Sequence, residues 1–97
     1  VLEVRQTAIF ERWLRELRDI QAKARINARL RRISLGVVGD VKSVGSGVSE
    51  IRIDYGPGYR LYFVRRGESV LILLCGGDKR GQERDIARAQ QFAREMD

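Results

Sequence analysis

The chain has 97 residues and a mass of 11.1 kDa, which suits a single domain over residues 1–97 and leaves no room for a second. Its 43% hydrophobic and 33% charged content fits an ordered globular protein, and no apolar run approaches the ~20 residues of a membrane span. With no histidine and one cysteine, it excludes Ser-His-Asp triads, His-based acid/base chemistry, the usual His/Cys zinc sites and an internal disulfide.

In chain order, Val1 to Arg5 is short and β-branched and suits an edge strand or lead-in. Thr7 can cap a helix along which Phe10, Trp13, Leu14, Leu17 and Ile20 recur at helical spacing. A second helix carries Ala22, Ile26, Leu30 and Ile33 on one face, with Arg25, Arg29 and Arg32 as a stripe beside it. A break near residues 19–22 makes these an antiparallel pair, and Gly36 is placed to end the second. Residues 36–47, rich in Gly and Ser, read as a loop of about a dozen residues, long enough to suggest function. Strands follow at Val48 to Asp54, Tyr59 to Arg66 and Ser69 to Cys75, joined by Gly56-Pro57-Gly58 and Arg66-Gly67-Glu68. Gly76-Gly77 ends the sheet. A last helix carries Ile86, Ala89, Ala93 and Met96, with Gly81 at its start and Glu83 and Asp85 at its positive end. The fold class is α+β, ordered β-α-α-β-β-β-α, with a small antiparallel sheet.

Net charge is +6 with an isoelectric point near 10.2, which points to an acidic partner. Residues 1–36 hold nine Lys/Arg against four acids, whereas residues 76–97 balance five against five, so the docking surface is expected on the N-terminal half, at Arg25, Arg29 and Arg32. Placing Ile51, Ile53, Leu61 and Phe63 on the core side of the hairpin predicts Ile53 opposite Leu61 and Ile51 opposite Phe63. The other face then presents Arg52 opposite Tyr62 and Asp54 opposite Arg60, with Glu50 alongside, all exposed. Guanidinium forks match phosphate oxygens and Tyr62 offers a stacking surface; Lys42, Lys79 and Arg80 are placed to close around them. The bland alternative is a solvated sheet surface with cross-strand ion pairs. Cys75, inside an apolar run, is expected to be a buried structural thiol.

Several stretches together carry a family likeness: Phe10-x-x-Trp13-Leu14-x-x-Leu17, Gly39-Asp40-Val41-Lys42, Gly47-Val48-Ser49-Glu50-Ile51-Arg52-Ile53, Gly56-Pro57-Gly58-Tyr59-Arg60-Leu61-Tyr62-Phe63, and Gly76-Gly77-Asp78-Lys79-x-x-Gln82-x-x-Asp85-Ile86. On these, nearly the whole chain resembles the RelE/ParE superfamily of type II toxin–antitoxin toxins, in its phage-related, HigB-like addiction module killer protein branch. The resemblance implies a RelE-like fold with two helices packed on an antiparallel sheet. It also implies a cognate helix-turn-helix antitoxin encoded alongside, a cytoplasmic site of action, and DNA contact only as a complex with that antitoxin. For RelE-like members it implies cleavage of ribosome-bound mRNA without a metal or other cofactor.

Carried over, Arg60 takes the position that contacts the scissile phosphate, Arg52 lies near that of a basic strand residue, and Lys79 and Arg80 fall near a basic position after the last strand. Attack by the RNA 2′-hydroxyl would place charge on non-bridging oxygens for Arg60 and Arg52 to stabilise, with Lys79 or Arg80 aiding the departing 5′-oxygen and Glu50 or Lys79 as base. The sequence departs from many nucleolytic relatives in the stretch Asp85-Ile86-Ala87-Arg88, which lacks the Tyr or His they carry there. Two alternatives therefore stay open: a ParE-like toxin that poisons DNA gyrase, and a degenerate toxin that mainly binds its antitoxin. The adjoining reading frame is predicted to encode a small helix-turn-helix protein, which inspection of the flanking genomic sequence checks; no such frame would remove the addiction-module reading.

Overall fold

Helix boundaries fall where side chains satisfy the free backbone groups. In the computed structural model, which describes residues 1–96, β1 (Glu3–Gln6) passes into α1 (Ala8–Glu16) through Thr7. The Thr7 hydroxyl accepts from the Phe10 N–H at 3.1 Å and donates to the Leu74 carbonyl at 2.7 Å, so one side chain caps α1 and ties it to the sheet. Asp19 accepts from the N–H groups of Gln21 and Ala22 and starts α2 (Ile20–Ser34), which fixes the break between the helices. Ala22, Ile26, Leu30 and Ile33 are buried, as their spacing requires. Ile20 is 81% exposed and does not extend the apolar stripe of α1, because the chain turns at Asp19 before reaching it. Gly36, at φ +93°, follows the α2 C-cap in the left-handed conformation that ends helices.

The sheet has five strands, one more than the four expected, and it is mixed rather than antiparallel. Its order is β1-β5-β4-β3-β2, with β2 at Val41–Gly45, β3 at Val48–Ile53, β4 at Tyr59–Arg66 and β5 at Val70–Gly77. β1 runs parallel to β5, and every other pairing is antiparallel. The expected loop over residues 36–47 thus contains a strand. Its Val-Lys-Ser-Val-Gly sequence is too polar and glycine-rich to show an apolar alternation, and partner β3 supplies the order that local propensity does not. Gly45, Ser46 and Gly47 all have positive φ and turn β2 back into β3, with a bulge between Ser43 and Gly45.

The β3–β4 register differs from the expected one by two residues. Ile53 faces Tyr59, Ile51 faces Leu61, Arg52 faces Arg60 and Glu50 faces Tyr62. A shift of two preserves which residues share a face, so the apolar argument alone cannot distinguish the registers. The turn decides it. The N–H of Tyr55 bonds the Ile53 carbonyl, the N–H of Gly58 bonds the Tyr55 carbonyl, and this tight connection lets the strands close at the Ile53–Tyr59 pair. Tyr59 itself joins the core.

Both faces of the sheet are covered, contrary to a layer with helices on one side only. α1 and α2 lie over Ile51, Ile53, Tyr59, Leu61, Phe63, Leu71 and Leu73. α3 (Gln82–Glu95) packs Ala89 and Ala93 against Val48, Tyr62, Val64, Leu74 and Cys75 on the opposite face. Phe92 joins this second cluster, whereas Met96 is exposed. Gly76 and Gly77 continue β5 opposite Leu61 and Arg60 rather than ending the sheet. A side chain at Gly76 would run into the Trp13 ring, and one at Gly77 into the Asp85 carboxylate, so these glycines admit α1 and α3 to the sheet.

Trp13 is half-buried and meets Phe10 and Tyr59 at centroid distances of 5.6 and 6.1 Å. Trp13→Ala is expected to cost about 3 kcal/mol, and Gly76→Ala about 1–3 kcal/mol by overpacking. Because both act on one contact, the double variant should lose less than the sum, as read from urea denaturation in a double-mutant cycle.

Candidate functional site

The row Lys42, Glu50, Tyr62, Cys75 crosses four paired strands on the α3 side of the sheet. It begins in solvent at Lys42 and ends beneath α3 at Cys75. The neighbouring row is Arg52, Arg60, Gly77. The structure therefore keeps the expected set on one face but divides it between an open part and a covered part.

Glu50 and Arg60 are each 4% exposed and Tyr62 is fully buried, which corrects the expectation of an exposed polar face. Glu50 Oε2 accepts the Tyr62 hydroxyl at 3.0 Å and the Gln82 amide at 2.9 Å, and the Arg60 Nε lies 3.8 Å away. Arg60 donates from Nη1 to the Gly58 carbonyl at 2.6 Å, while its Nε has no hydrogen-bond partner among the described residues. The cause of the burial is α3, whose first residue, Gln82, reaches down to Glu50 and brings the helix end over the sheet. Burial, followed by the bond to Glu50 and its charge, pushes the Tyr62 hydroxyl well above its ordinary value of 10, so Tyr62 is a neutral donor held away from solvent, not a stacking platform.

Arg52 and Lys42 remain exposed. They line a cleft of about 470 Å³ with Glu50, Asp40, Val41 and Asp54. Arg29 completes it from α2, on the other side of the sheet. Its guanidinium passes over Gly39 and donates to the Arg52 carbonyl at 3.4 Å, rounding the sheet where β2 has not yet begun. Any side chain at Gly39, which has φ +79°, would meet that guanidinium. Partial burial, then Arg32, lowers the Arg29 pKa, and Asp40 opposes them. The cleft thus presents three cations and three carboxylates. Glu50 Oε1 makes no hydrogen bond among the described residues, and Glu50 is one of the residues that line the cleft.

The remaining expected residues lie elsewhere. Lys79 and Arg80 are exposed on a single 3-10 turn (Lys79–Gly81) and line a separate hollow of about 490 Å³; Arg80 pairs with Asp78 at 3.4 Å. Neither closes around Arg52. Arg25 stacks over the Tyr55 ring at 4.5 Å and Arg32 is exposed, so the α2 stripe splits, with Arg29 alone entering the cleft. Cys75 is buried, its thiol 3.8 Å from the Asp85 carbonyl and its pKa pushed up to about 12, first by burial and then by Asp85. Such a thiol is no nucleophile at neutral pH. Asp85, also buried, has a pKa raised by burial against the pull of Arg84 and Arg88. No group of three or more His, Cys, Asp or Glu side chains among the described residues could hold a metal ion, and no helix is long and apolar enough to cross a membrane.

Sequence reasoning missed two members of the site. Arg29 was grouped with its helical neighbours as a docking residue, and only the tertiary path of α2 shows where its side chain goes. Gln82 lies in the Gly76–Ile86 stretch that carries the family likeness, and its position one turn of chain past Asp78 was the available signal.

Residues 12–94 match a family model described as phage derived protein Gp49-like (DUF891). A protein of Haemophilus influenzae, described as uncharacterized, is 45% identical over 95 residues, which covers 98% of this chain and 96% of its own length.

A raised folded-state pKa for Tyr62 means that the unfolded chain loses the proton first, so stability is fully present below pH 10 and falls as pH rises beyond it. Tyr62→Phe should cost about 1–2 kcal/mol near pH 7 by leaving Glu50 one donor short and should flatten that alkaline fall. Urea midpoints measured across the alkaline range for both proteins check this; identical slopes would contradict it.

Proposed function

The chain belongs to the Gp49-like family of phage-derived proteins, a toxin-like family of addiction modules, and from that premise we propose that it is the toxin of a type II toxin–antitoxin pair that cleaves RNA. The finer RelE-like, HigB-like placement, the helix-turn-helix antitoxin, the ribosome as the place of cleavage and the cytoplasm as its compartment are parts of this same reading. One observation carries it: Arg29, Lys42 and Arg52 line one cleft together with Glu50, whose Oε1 makes no hydrogen bond among the described residues.

Guanidinium and ammonium groups on one concave surface suit a phosphodiester strand, since they bind non-bridging oxygens without needing a metal. In the proposed step, Glu50 Oε1 takes the proton of the RNA 2′-hydroxyl and the 2′-oxygen attacks the adjacent phosphorus. The bond to the 5′-oxygen breaks, leaving a 2′,3′-cyclic phosphate, and Lys42 protonates the departing oxygen. Arg52 and Arg29 stabilise the charge that gathers on the non-bridging oxygens. Arg60 holds no substrate in this reading. It is a positioning residue, 3.8 Å from Glu50 and bonded to Gly58, which orients the carboxylate and ties it to the hairpin turn. Lys79 and Arg80 take no part in the step.

The experiment is controlled expression in a bacterial host with mapping of transcript ends. Wild type should produce cuts in translated mRNA. Arg52→Ala should lower cutting about 100-fold or more, the usual cost of losing one preorganised donor. Glu50→Gln should abolish it; the amide oxygen still accepts from Tyr62 and Gln82, and circular dichroism of the purified variant checks that the fold survives the loss of the Arg60 counter-charge. Intact mRNA with broken chromosomal DNA would replace this reading with gyrase poisoning. Growth arrest that persists unchanged in both variants would remove the cleft from the mechanism.

A further inference from the structure

β1 pairs only with Val70 to Leu73 of β5, so the last four residues of β5, Leu74 to Gly77, have no strand on that side. α1 and α3 stand on either side of this bare end. Two adjoining hollows of about 340 and 360 Å³ open there, with Trp13, Gly76 and Arg88 lining both. Ile9 and Ala8 extend the apolar lining one way, and Leu17, Pro57 and Tyr59 extend it the other.

The polar groups around this trough are unevenly used. Arg80 is paired with Asp78, and Arg84 lies 3.8 Å from Asp85. Arg12 makes no ion pair or hydrogen bond among the described residues, and Arg88 makes neither, lying 5.5 Å from the Phe92 ring and acting on the Asp85 carboxylate through its charge alone. These two guanidiniums, neither held in an ion pair, line the same hollow as Trp13, with Glu16 as its one carboxylate. The Trp13 indole N–H likewise has no acceptor within the described residues. One floor therefore combines aliphatic surface, an unused indole donor and two guanidiniums outside any ion pair.

We infer that this trough docks an acidic segment of a partner protein that carries aliphatic side chains. Aliphatic groups would fill the two hollows, carboxylates would bridge Arg12 and Arg88, and a carboxylate or backbone carbonyl would accept from the indole. A second copy of this chain is the wrong occupant, because its net charge of +6 repels the rim. A nucleic-acid strand fits less well, because Gly76 lies against the benzo ring of Trp13 and Phe10 and Tyr59 meet the indole, which leaves less ring surface for a base to stack on. The inference stands apart from the cleft's activity, since the two sites share no lining residue.

Trp13 is the only tryptophan, so its emission reports occupancy directly. The full chain is titrated with a synthetic peptide of alternating Glu and Leu, with a Lys/Leu peptide and with oligouridylate. The Glu/Leu peptide should shift Trp13 emission saturably, and the Lys/Leu peptide should not. Arg12→Glu, a helix-surface change with no contact to lose, should weaken the Glu/Leu peptide about tenfold or more, and Arg88→Gln should weaken it in the same direction; Arg52→Ala should leave it unchanged. No saturable shift, equal binding of both peptides, or a weakening by Arg52→Ala but not Arg12→Glu would overturn the inference. Oligouridylate that binds more tightly than the Glu/Leu peptide, with the same Arg12 dependence, would overturn it in favour of a nucleic-acid strand.

Discussion

A single carboxylate, Glu50, holds the α3 side of this molecule together, because β4 and α3 between them send it three polar groups. Tyr62 comes from β4 on one side, Gln82 from the start of α3 above, and Arg60 from the next row of β4. A charge this deeply buried is stabilising only when its partners are in place, and losing one partner costs more than the pair contributes. The arrangement at Glu50 is incomplete by that standard, since the Arg60 Nε is 3.8 Å away and has no hydrogen-bond partner among the described residues. It is tolerable because Nη1 has the Gly58 carbonyl. The same carboxylate also lines the cleft, so the group that fixes α3 on the sheet is the one the proposed reaction draws on as its base.

The helices were legible because their ends are written locally. Thr7, Asp19 and Gly36 each do in the structure what their chemistry suggests, and Ala22, Ile26, Leu30 and Ile33 repeat at the period that buries them. β2 was not legible, because Val41 to Gly45 acquires its hydrogen bonds from β3 and carries no pattern of its own. The register of β3 against β4 was constrained only to a parity, since slips of two residues leave Ile51, Ile53, Leu61 and Phe63 on the core face. Choosing between them needed the bonds inside the Tyr55–Gly58 turn.

The candidate site was legible in residue type more than in position. Arg52, Glu50 and Lys42 do meet in one cleft. Arg60 was expected on the surface because its neighbours in the pattern alternate, but alternation reports which side of a sheet a residue is on, not whether a later helix will lie over it. The two small glycines at the end of β5 were the clue that helices come close there. Arg29 depends on a side chain crossing from one layer to the other past Gly39, a path that no one-dimensional spacing encodes.

The outer strand β2 has a further consequence. A free strand edge invites pairing with another molecule, and a flat apolar one is a template for fibres. Here the edge is only five residues long, carries Lys42, and is bent by the bulge between Ser43 and Gly45 into the left-handed turn at Ser46. That shape gives an incoming strand too few aligned amides to grip, so the irregularity that conceals β2 from pattern reading also keeps concentrated copies of the chain from zipping together along it.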